Sequence, residues 1–267
     1  MPASDTRIPA DRRTALITGA TSGIGLAIAR SLAESGLRVF LCARSAENVA
    51  TTIKTLRAQG YEADGTVCDV RSRTEVTALV AAAVAVYGPI DVLVNNAGRN
   101  GGGVTAELSD ELWYDVIDTN LNSVFLVTRE VLSAGGILGR PRGRVINIAS
   151  TGGKQGVVLA APYSASKAAV IGMTKALGLE LATSGTTVNA VCPGYVETPM
   201  AERVRRAYAE AWDTSEEQIR ERFESKIPLG RYTTPEEVAA MVSYLTSPAA
   251  DAVTAQALNV CGGLGSY

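Results

Sequence analysis

Short, mostly apolar segments alternate with longer segments of helical character along most of this chain. Each apolar segment has the length of a strand, and continuous apolar runs are expected where strands are covered on both faces. A chain that repeats strand and helix in this way is largely restricted to a parallel sheet with crossover helices. The predicted strands span residues 14–18, 38–42, 62–68, 92–95, 144–148, 187–191 and 257–260.

The intervening segments predict helices over residues 23–35, 46–59, 72–86, 109–131, 162–182 and 234–245. Gly36, Gly60 and Gly88 follow the first three, and glycine at that position is a common helix stop signal. Together the elements predict a single-domain α/β, doubly wound Rossmann fold over residues 14–267, with a seven-stranded parallel sheet and helices on both faces. Ligands of such folds bind beyond the carboxyl ends of the strands, so functional residues are expected there.

Composition excludes several classes of protein. Hydrophobic residues make up 46% of the 267 residues and charged residues 19%, as expected for a soluble globular domain. The net charge of −2 gives no overall field that would recruit nucleic acid, and no apolar run is long enough to predict a membrane span. The chain contains no histidine, which excludes Ser-His-Asp hydrolysis, Cys-His proteolysis and histidine-ligated metals; no metal site is predicted.

Cysteine usage and the start of the chain indicate the compartment. Cys42, Cys68, Cys192 and Cys261 all follow strand-like runs and form no C-x-x-C pair, so they are predicted to be small buried hydrophobes in a reducing cytoplasm. Residues 1–13 are polar and lack the apolar core of a signal peptide, which predicts a flexible N-terminal arm.

A charged segment interrupts the alternation between the sixth strand and the last helix. Residues 199–231 are rich in Glu and Arg, and Tyr208, Trp212 and Phe223 supply apolar anchors. Its position predicts that it overhangs the ligand-binding edge as a mobile lid that shapes a substrate pocket. The alternative is a solvated helix pair with ordinary i,i+4 ion pairs.

A glycine-rich turn, T-G-A-T-S-G-I-G at residues 18–25, joins the first strand to the first helix. Gly19, Gly23 and Gly25 permit a tight turn, close approach of the backbone to a pyrophosphate, and close helix packing. The start of the helix would then face the phosphates. A glycine-rich turn is weak evidence alone, but between a strand and a helix near the start of a chain it predicts a dinucleotide site.

The end of the second strand indicates which dinucleotide is bound. NAD-specific sheets carry an acidic residue near this point to hold the adenosine ribose. Arg44 stands there instead, and a guanidinium can hold the 2′-phosphate of NADP; the alternative is a surface arginine. Asp69 could accept a hydrogen bond from the adenine amino group. Pro193 and Gly194 would turn the chain around the nicotinamide, and Thr198 could bond its carboxamide.

The fourth strand ends in N-N-A-G at residues 95–98. The backbone here would run beside the cofactor, whereas Asn95 could instead link neighbouring strands through its side-chain amide.

Tyr163 and Lys167 lie four residues apart, so a helix would carry both on one face. A lysine ammonium favours the phenolate and would lower the tyrosine pKa toward neutral pH, giving a proton donor and acceptor. Ser150 ends the fifth strand and could hold a substrate carbonyl oxygen near Tyr163. Separately, each has an ordinary alternative as a solvated helix face or a loop cap; their combination predicts catalysis.

These motifs resemble those of the short-chain dehydrogenase/reductase family over essentially the whole chain. They are T-G-x-x-x-G-x-G, N-N-A-G, Asn120, Ser150, Y-x-x-x-K and P-G at 193–194. The resemblance implies hydride transfer with a Ser–Tyr–Lys–Asn tetrad. In it Tyr163 protonates the carbonyl oxygen, Ser150 positions that oxygen, Lys167 holds the nicotinamide ribose and lowers the Tyr163 pKa, and Asn120 orders a water for proton supply.

With this family, the predicted NADPH-binding residues are Gly19, Thr21, Ser22, Gly23, Ile24, Gly25, Arg44, Asp69, Val70, Asn96, Ala97, Gly98, Tyr163, Lys167, Pro193, Gly194, Val196 and Thr198.

Within the family, residues 99–103, 150–158 and 259–265 are similar to the actinorhodin-type ketoreductases of aromatic (type II) polyketide synthesis. That group reduces one ketone, usually at C9, of a poly-β-ketone chain on an acyl carrier protein with NADPH. The resemblance implies that Asn100, Gly101 and Gly102 influence the handedness of the alcohol and that Gln155 contacts substrate.

Three arginines follow the carboxyl ends of different strands: Arg44, Arg71 and Arg99. They could form a positive rim that binds the phosphopantetheine and acidic surface of a carrier protein. Alternatively they are independent surface or cofactor residues.

Two other functions remain open. The same chemistry on a linear chain would make this a 3-oxoacyl-[acyl-carrier-protein] reductase of fatty acid synthesis. A non-catalytic NADP-binding regulator is a further alternative, although it would not need the whole tetrad. The family resemblance also implies a homotetramer, in which the helices at 109–131 and 162–182 could pack across a two-fold axis. Alternatively, both helices only cover the sheet.

Overall fold

A computed structural model of the chain describes residues 12–265, which form one doubly wound α/β domain. Its seven strands lie in one parallel sheet in the order β3-β2-β1-β4-β5-β6-β7. The strands are β1 (Thr14–Thr18), β2 (Arg38–Ala43), β3 (Ala63–Val67), β4 (Val92–Asn95), β5 (Gly143–Ile148), β6 (Thr186–Pro193) and β7 (Ala257–Val260). The predicted fold class is therefore confirmed.

The helices cover both faces of this sheet. They are α1 (Gly23–Glu34), α2 (Ala46–Ala58), α3 (Arg73–Tyr87), α4 (Asp110–Ile117), α5 (Ser123–Ser133), α6 (Ala161–Glu180), α7 (Pro199–Ala211), α8 (Glu216–Glu224) and α9 (Pro235–Thr246). On β1, Ile17 packs in the core beneath α1, α2 and α9, whereas Leu16 packs in the core beneath α3 and α5. Both side chains are fully buried, which explains why β1 carries apolar residues on both faces.

The topology fixes where a ligand can bind. Strand β1 has β2 on one side and β4 on the other, so the strand order reverses there. At such a switch point the loops beyond the carboxyl ends of the strands diverge and leave a crevice. The glycine-rich turn after β1 and the N-N-A-G run at the end of β4 lie on the two sides of this crevice.

One predicted helix is divided in two. Instead of a continuous helix over 109–131, α4 and α5 are joined by a π-helical turn, Asp118–Asn122. Apolar periodicity cannot reveal such a turn, because it inserts a single wider hydrogen-bonded loop without breaking the apolar face. Asn120, the least conspicuous member of the predicted tetrad, lies in the centre of it.

Helices α7 and α8 form most of the segment predicted as a lid, and they have a small core of their own. The ring of Tyr195 stacks on Phe223 at 4.6 Å and on Tyr232 at 5.4 Å between centroids. The two ends of the segment are joined, because Thr233 N donates to Tyr195 O at 2.9 Å. Tyr208 Oη donates to Val158 O, so the segment reaches the loop that precedes α6. Its mobility stays a prediction.

The N-terminal arm was predicted to end at residue 13. Residues 1–11 of it lie outside the described residues. Arg12 pairs with Glu62 at 2.7 Å, and Arg13 donates to the Thr246 and Arg142 carbonyl oxygens at 2.7 and 2.8 Å. The last two residues of the predicted arm are thus fixed to the domain, a contact that only the fold could bring about.

Candidate active site

The turn after β1 has no space for side chains at its glycines. Gly19 has a φ of 65°, and a Cβ there would lie 2.9 Å from the Cα of Ala97. A Cβ on Gly25 would lie 2.3 Å from Gly19 O, so alanine could not replace it without opening the turn. The backbone can therefore approach a ligand closely from the crevice.

The start of α1 faces the same crevice with free backbone donors. The Ser22 side chain makes no capping hydrogen bond to any described residue, and the first turn of α1 carries no acidic residue. The first N–H groups of a helix have no partner within the helix, and the helix dipole favours negative charge there. The turn and the helix start thus fit a pyrophosphate.

Asn96 fixes the turn from the other side of the crevice. Its Nδ2 donates to Thr18 O and Gly19 O, both at 3.0 Å. Thr18 Oγ1 in turn accepts from the backbone N–H groups of Asn96 and Ala97 at 3.1 and 3.0 Å. The side chain of Asn96, predicted to bind the cofactor, is therefore used to shape the cradle.

Asp69, predicted to bind the adenine of the cofactor, and Arg71, predicted to bind a carrier protein, bind each other in the loop after β3. Arg71 Nε lies 3.0 and 3.1 Å from the two carboxylate oxygens of Asp69, and this pairing lowers the pKa of Asp69. Arg71 also reaches Asp115 at 2.5 Å, and Arg99 pairs with the other oxygen of Asp115. Arg44 is exposed at the end of β2 and contributes to the lowered pKa of Asp69 through its charge.

The residues predicted near the nicotinamide come from β6 and the loop after it. A Cβ on Gly23 would lie 3.3 Å from Thr198 Cγ2, so Thr198 closes the crevice opposite the glycine turn. Its Oγ1 caps α7 by accepting from Ala201 N at 3.2 Å. The side chains of Val70 and Val196 are buried in the core, which leaves their backbone to face a ligand.

Tyr163 and Lys167 lie on one face of α6 beside the end of β5. Lys167 is buried, and its Nζ donates to Ile148 O at 2.8 Å and lies 5.9 Å from the centre of the Tyr163 ring. A Cβ on Gly152 would lie 3.3 Å from both Ser150 Oγ and Tyr163 Cε1, so these two side chains are neighbours. Ser150 Oγ accepts from Gly152 N at 3.0 Å, which fixes its position. The three predicted side chains therefore meet at one point.

The predicted lowering of the Tyr163 pKa by Lys167 is wrong for this structure. Burial raises the pKa of Tyr163 above its ordinary value, and the neighbouring Ser150 side chain opposes that only in part. Burial also lowers the pKa of Lys167 to about 8. The ammonium donates to a backbone carbonyl rather than to the phenol, so desolvation has the larger effect on both groups.

Asn120 is fully buried, and both polar atoms of its side chain make hydrogen bonds within the protein. Oδ1 accepts from Arg99 N at 2.8 Å, while Nδ2 donates to Arg99 O at 2.9 Å and to Ser166 Oγ at 3.1 Å. A Cβ on Gly98 would lie 3.2 Å from Asn120 Oδ1 and 3.6 Å from Lys167 Nζ, so the asparagine adjoins the other three residues. Its side chain holds the loop after β4, which leaves its backbone as the part that could order a water.

Two further residues contact this group without having been predicted. Ser166 donates to Tyr163 O at 2.7 Å and accepts from Asn120, so it links the π-helical turn to α6. Its position directly before Lys167 could have suggested that role. The buried Cys192 thiol lies near Ser150, and burial raises its pKa, so it remains a neutral thiol beside Tyr163 and Lys167. Only the pairing of β5 with β6 brings this cysteine to the site.

The loop predicted to govern stereochemistry packs against the start of α6. A Cβ on Gly102 would lie 1.8 Å from Leu159 O, and Gly103 N donates to that same oxygen at 2.8 Å. Leu159 has a φ of 59°, an uncommon backbone conformation for leucine. Gln155 is exposed in the adjoining loop.

The structure describes three further features of residues 12–265. In that range no group of three or more His, Cys, Asp or Glu could hold a metal, and no helix is long and apolar enough to cross a membrane. All four cysteines lie there as buried free thiols, as predicted.

Comparison with known proteins gives concordant results. The profile of the short chain dehydrogenase family matches residues 13–209. Ketoacyl reductase 1 of the granaticin polyketide synthase of Streptomyces violaceoruber is 67% identical, over 97% of this chain and 95% of that protein. The 3-oxoacyl-[acyl-carrier-protein] reductase of Thermotoga maritima is 38% identical, over 94% of this chain and 97% of that protein.

A solved structure extends the likeness to three dimensions. A tryptophan variant of the actinorhodin polyketide ketoreductase, determined with NADPH, superposes with a TM-score of 0.94. It is 66% identical in sequence, with 97% of this chain and 99% of that chain covered.

Proposed function

The chain belongs to the short chain dehydrogenase family, and we propose that it reduces a ketone of an aromatic polyketide intermediate to a secondary alcohol with NADPH. The observation that carries this proposal is the meeting of Ser150, Tyr163 and Lys167 beside a glycine cradle at the switch point of the sheet. NADPH supplies a hydride when it is bound.

The residues of the chain supply the proton and the orientation. The pKa of Tyr163 is raised, so at neutral pH the phenol is protonated and can donate to a carbonyl oxygen. Ser150, fixed by Gly152 N, can hold that oxygen beside the phenol. Burial makes each of these hydrogen bonds stronger than it would be in water. Lys167 Nζ lies 5.9 Å from the centre of the Tyr163 ring and is held there by its hydrogen bond to Ile148 O.

The geometry around the glycine turn supports NADPH as the cofactor. Backbone N–H groups at the start of α1 would bind the pyrophosphate, and exposed Arg44 would bind the 2′-phosphate. No acidic residue stands directly at the end of β2 to repel that phosphate, and Asp69, which follows β3, is paired with Arg71.

The substrate class follows from the relatives. Identity to the ketoacyl reductases of polyketide synthases is 66–68%, against 36–38% for the 3-oxoacyl-[acyl-carrier-protein] reductases. We therefore favour a polyketide over a linear fatty acyl chain. The intermediate would be bound to an acyl carrier protein and reduced at C9, in the cytoplasm.

We still infer that the arginine rim binds the carrier protein, but its arginines are paired with carboxylates and are not independent charges. Arg71 and Arg99 share the Asp115 carboxylate, and their side chains remain 39–40% exposed. Because the carboxylates of Asp69, Asp115 and Asp118 lie among these arginines, the rim would bind a phosphopantetheine phosphate or an acidic surface through its exposed guanidinium groups and not through a net charge.

A homotetramer would cover the outer face of α6. The exposed residues of this helix are mostly small and apolar, and Gly172 faces open space. Phe125 on α5 is 49% exposed and Leu179 on α6 is 73% exposed. An isologous contact across a two-fold axis would bury both. Size-exclusion chromatography with light scattering tests this assembly, and a monomeric mass would contradict it.

The reaction is tested with NADPH and trans-1-decalone, a bicyclic ketone, against a linear acetoacetyl thioester. Preference for the bicyclic ketone supports the polyketide substrate, and preference for the thioester supports fatty acid reduction instead. Tyr163→Phe should abolish turnover and leave NADPH binding within about threefold, because only the proton donor is lost. Tyr114→Phe, at an exposed tyrosine, is the matched control. Tight NADPH binding without turnover of any ketone would favour the regulator.

Carrier docking is tested by Arg71→Ala combined with Arg99→Ala. The double variant should lose turnover of carrier-bound ketone and keep turnover of the free bicyclic ketone. Equal rates with the carrier-bound ketone before and after substitution would rule docking at this rim out.

A further inference from the structure

A chain of buried side-chain hydrogen bonds runs beneath the catalytic group. Asn95 Nδ2 donates to Thr128 Oγ1 and to Asn147 Oδ1, each at 2.9 Å. Asn147 Nδ2 donates to Thr174 Oγ1 at 2.9 Å, and Thr174 Oγ1 donates to Val170 O at 2.7 Å. The chain joins α5, β4, β5 and α6, the four elements that lead into the residues of the proposed active site.

These groups are removed from water. Asn147 and Thr174 are fully buried, and Asn95 and Thr128 are each 3% exposed. Thr174 accepts one hydrogen bond and donates another, so its hydroxyl is used in both roles. Burial without such partners would be costly, and hydrogen bonds in the low-dielectric interior are directional.

Helix α6 is attached to β5 at two points. Lys167 Nζ binds Ile148 O, and seven residues further along the helix Thr174 binds the side chain of Asn147. Seven residues are two turns, so both attachments lie on one face and are separated by roughly 10 Å along the helix axis. On β5 the two attachments are made by adjacent residues, Ile148 and Asn147, which lie two and three positions before Ser150.

The two hydrogen bonds on one face of α6 fix the axial position of the helix, which apolar packing alone would leave free to change. Val170 and Ile171 also face the sheet, but hydrophobic contact is non-directional and permits small sliding of a helix along a strand. A hydrogen bond weakens steeply when its angle or length changes, so the Thr174–Asn147 bond resists sliding along the axis. The axial position of α6 sets the distance from Tyr163 to Ser150.

We propose that Thr174 is a positioning residue for the reduction: through Asn147 it fixes the axial position of α6 on β5, and hence the placement of Tyr163 relative to Ser150. This inference rests on the proposed ketoreductase function. It assigns Thr174 no contact with substrate or cofactor, since the hydroxyl is buried within the domain.

The test is Thr174→Val, which keeps the shape of the side chain and removes both hydrogen bonds. We expect kcat for the bicyclic ketone to fall at least tenfold with NADPH dissociation changed less than twofold, because small misplacements of reacting groups are costly to rate. We also expect the alkaline limb of the pH–rate profile to move. Thr174→Ser keeps the hydroxyl and should restore most of kcat and the parental pH limb.

Thr246→Val is the control for a merely structural loss. Thr246 is a buried helical threonine whose Oγ1 donates to Ser243 O at 2.8 Å, on α9, away from the catalytic group. It removes one hydrogen bond, so it should lower the melting temperature and leave kcat and the pH profile unchanged. If Thr174→Val likewise lowers only the melting temperature, the inference is wrong. Should Thr174→Val not fold, Thr174→Cys, a weaker acceptor of similar size, carries the same expectations.

A crystal structure of Thr174→Val gives a readout that does not depend on turnover. With the strands superposed, we expect α6 displaced along its axis and the Ser150 Oγ to Tyr163 Oη distance changed relative to the parent. An unmoved helix would overturn the inference even if the enzyme is active. A moved helix would support it even if no tested ketone is reduced, in which case only the proposed function would fail.

Discussion

Replacement of Gly102 by alanine should disrupt both the stability and the activity of the protein. The added Cβ would lie 1.8 Å from Leu159 O and 2.8 Å from Leu159 C, both backbone atoms that cannot rotate away. An ordinary carbon–oxygen contact is roughly 3.3 Å, so the two segments must separate by about 1.5 Å. That separation also breaks the 2.8 Å hydrogen bond from Gly103 N to Leu159 O.

The cost can be worked out from these contacts. Overpacking contributes roughly 1–3 kcal/mol and the lost hydrogen bond ~1 kcal/mol. For a domain of this size each kcal/mol corresponds to roughly 2–4 °C, so the melting temperature should fall by roughly 5–15 °C. Leu159 lies two residues before α6, and a displacement on the order of 1 Å at Tyr163 would lower kcat by roughly 100-fold.

Calorimetry and NADPH oxidation with the bicyclic ketone measure the two effects. Gly156→Ala is the matched control, because nothing lies within 4 Å of a Cβ at that position in the neighbouring loop. It should behave like the parent protein. A Gly102→Ala variant with the parental melting temperature and kcat would refute the argument from close packing.

Three further predictions concern charge. Arg44→Ser should lower kcat/KM for NADPH by roughly 10- to 100-fold and leave that for NADH unchanged, since a charged hydrogen bond contributes about 1.5–3 kcal/mol; equal losses with both cofactors would contradict this. Burial lowers the pKa of Lys167 from 10.5 to about 8, so between these two pH values the unfolded chain binds more protons than the folded chain. The stability of the parent relative to Lys167→Met should therefore rise with pH through that window, by up to roughly 1.4 kcal/mol per pH unit, in urea unfolding at pH 7.5 and 9.5. A flat difference would show that the folded pKa is not lowered. Asp115→Asn removes the carboxylate shared by Arg71 and Arg99, so KM for a carrier-bound ketone should fall severalfold at low salt and less at high salt; no salt-dependent change would argue against that rim.

Sequence alone was sufficient where a signal is local. Apolar runs located β1 and β4 at their observed bounds, because a strand buried on both faces needs a continuous apolar sequence, and the half-buried edge strand β7 was located at its observed bounds as well. The glycines of the first turn and the spacing of Tyr163 and Lys167 likewise predicted the glycine cradle and the shared face of α6 that the proposed function uses. Each of these depends on a few neighbouring residues, so nothing beyond them had to be known.

Tertiary structure decided the features that depend on distant segments. The π-helical turn at Asn120 became visible only with the backbone hydrogen bonds. Burial, rather than a neighbouring charge, raises the pKa of Tyr163 and lowers that of Lys167, and the depth of a side chain is a property of the whole fold. In the same way, the hydrogen bond between Asn147 and Thr174 joins residues 27 positions apart in the sequence. Such pairings arise from strand order and helix packing, which local patterns do not encode residue by residue.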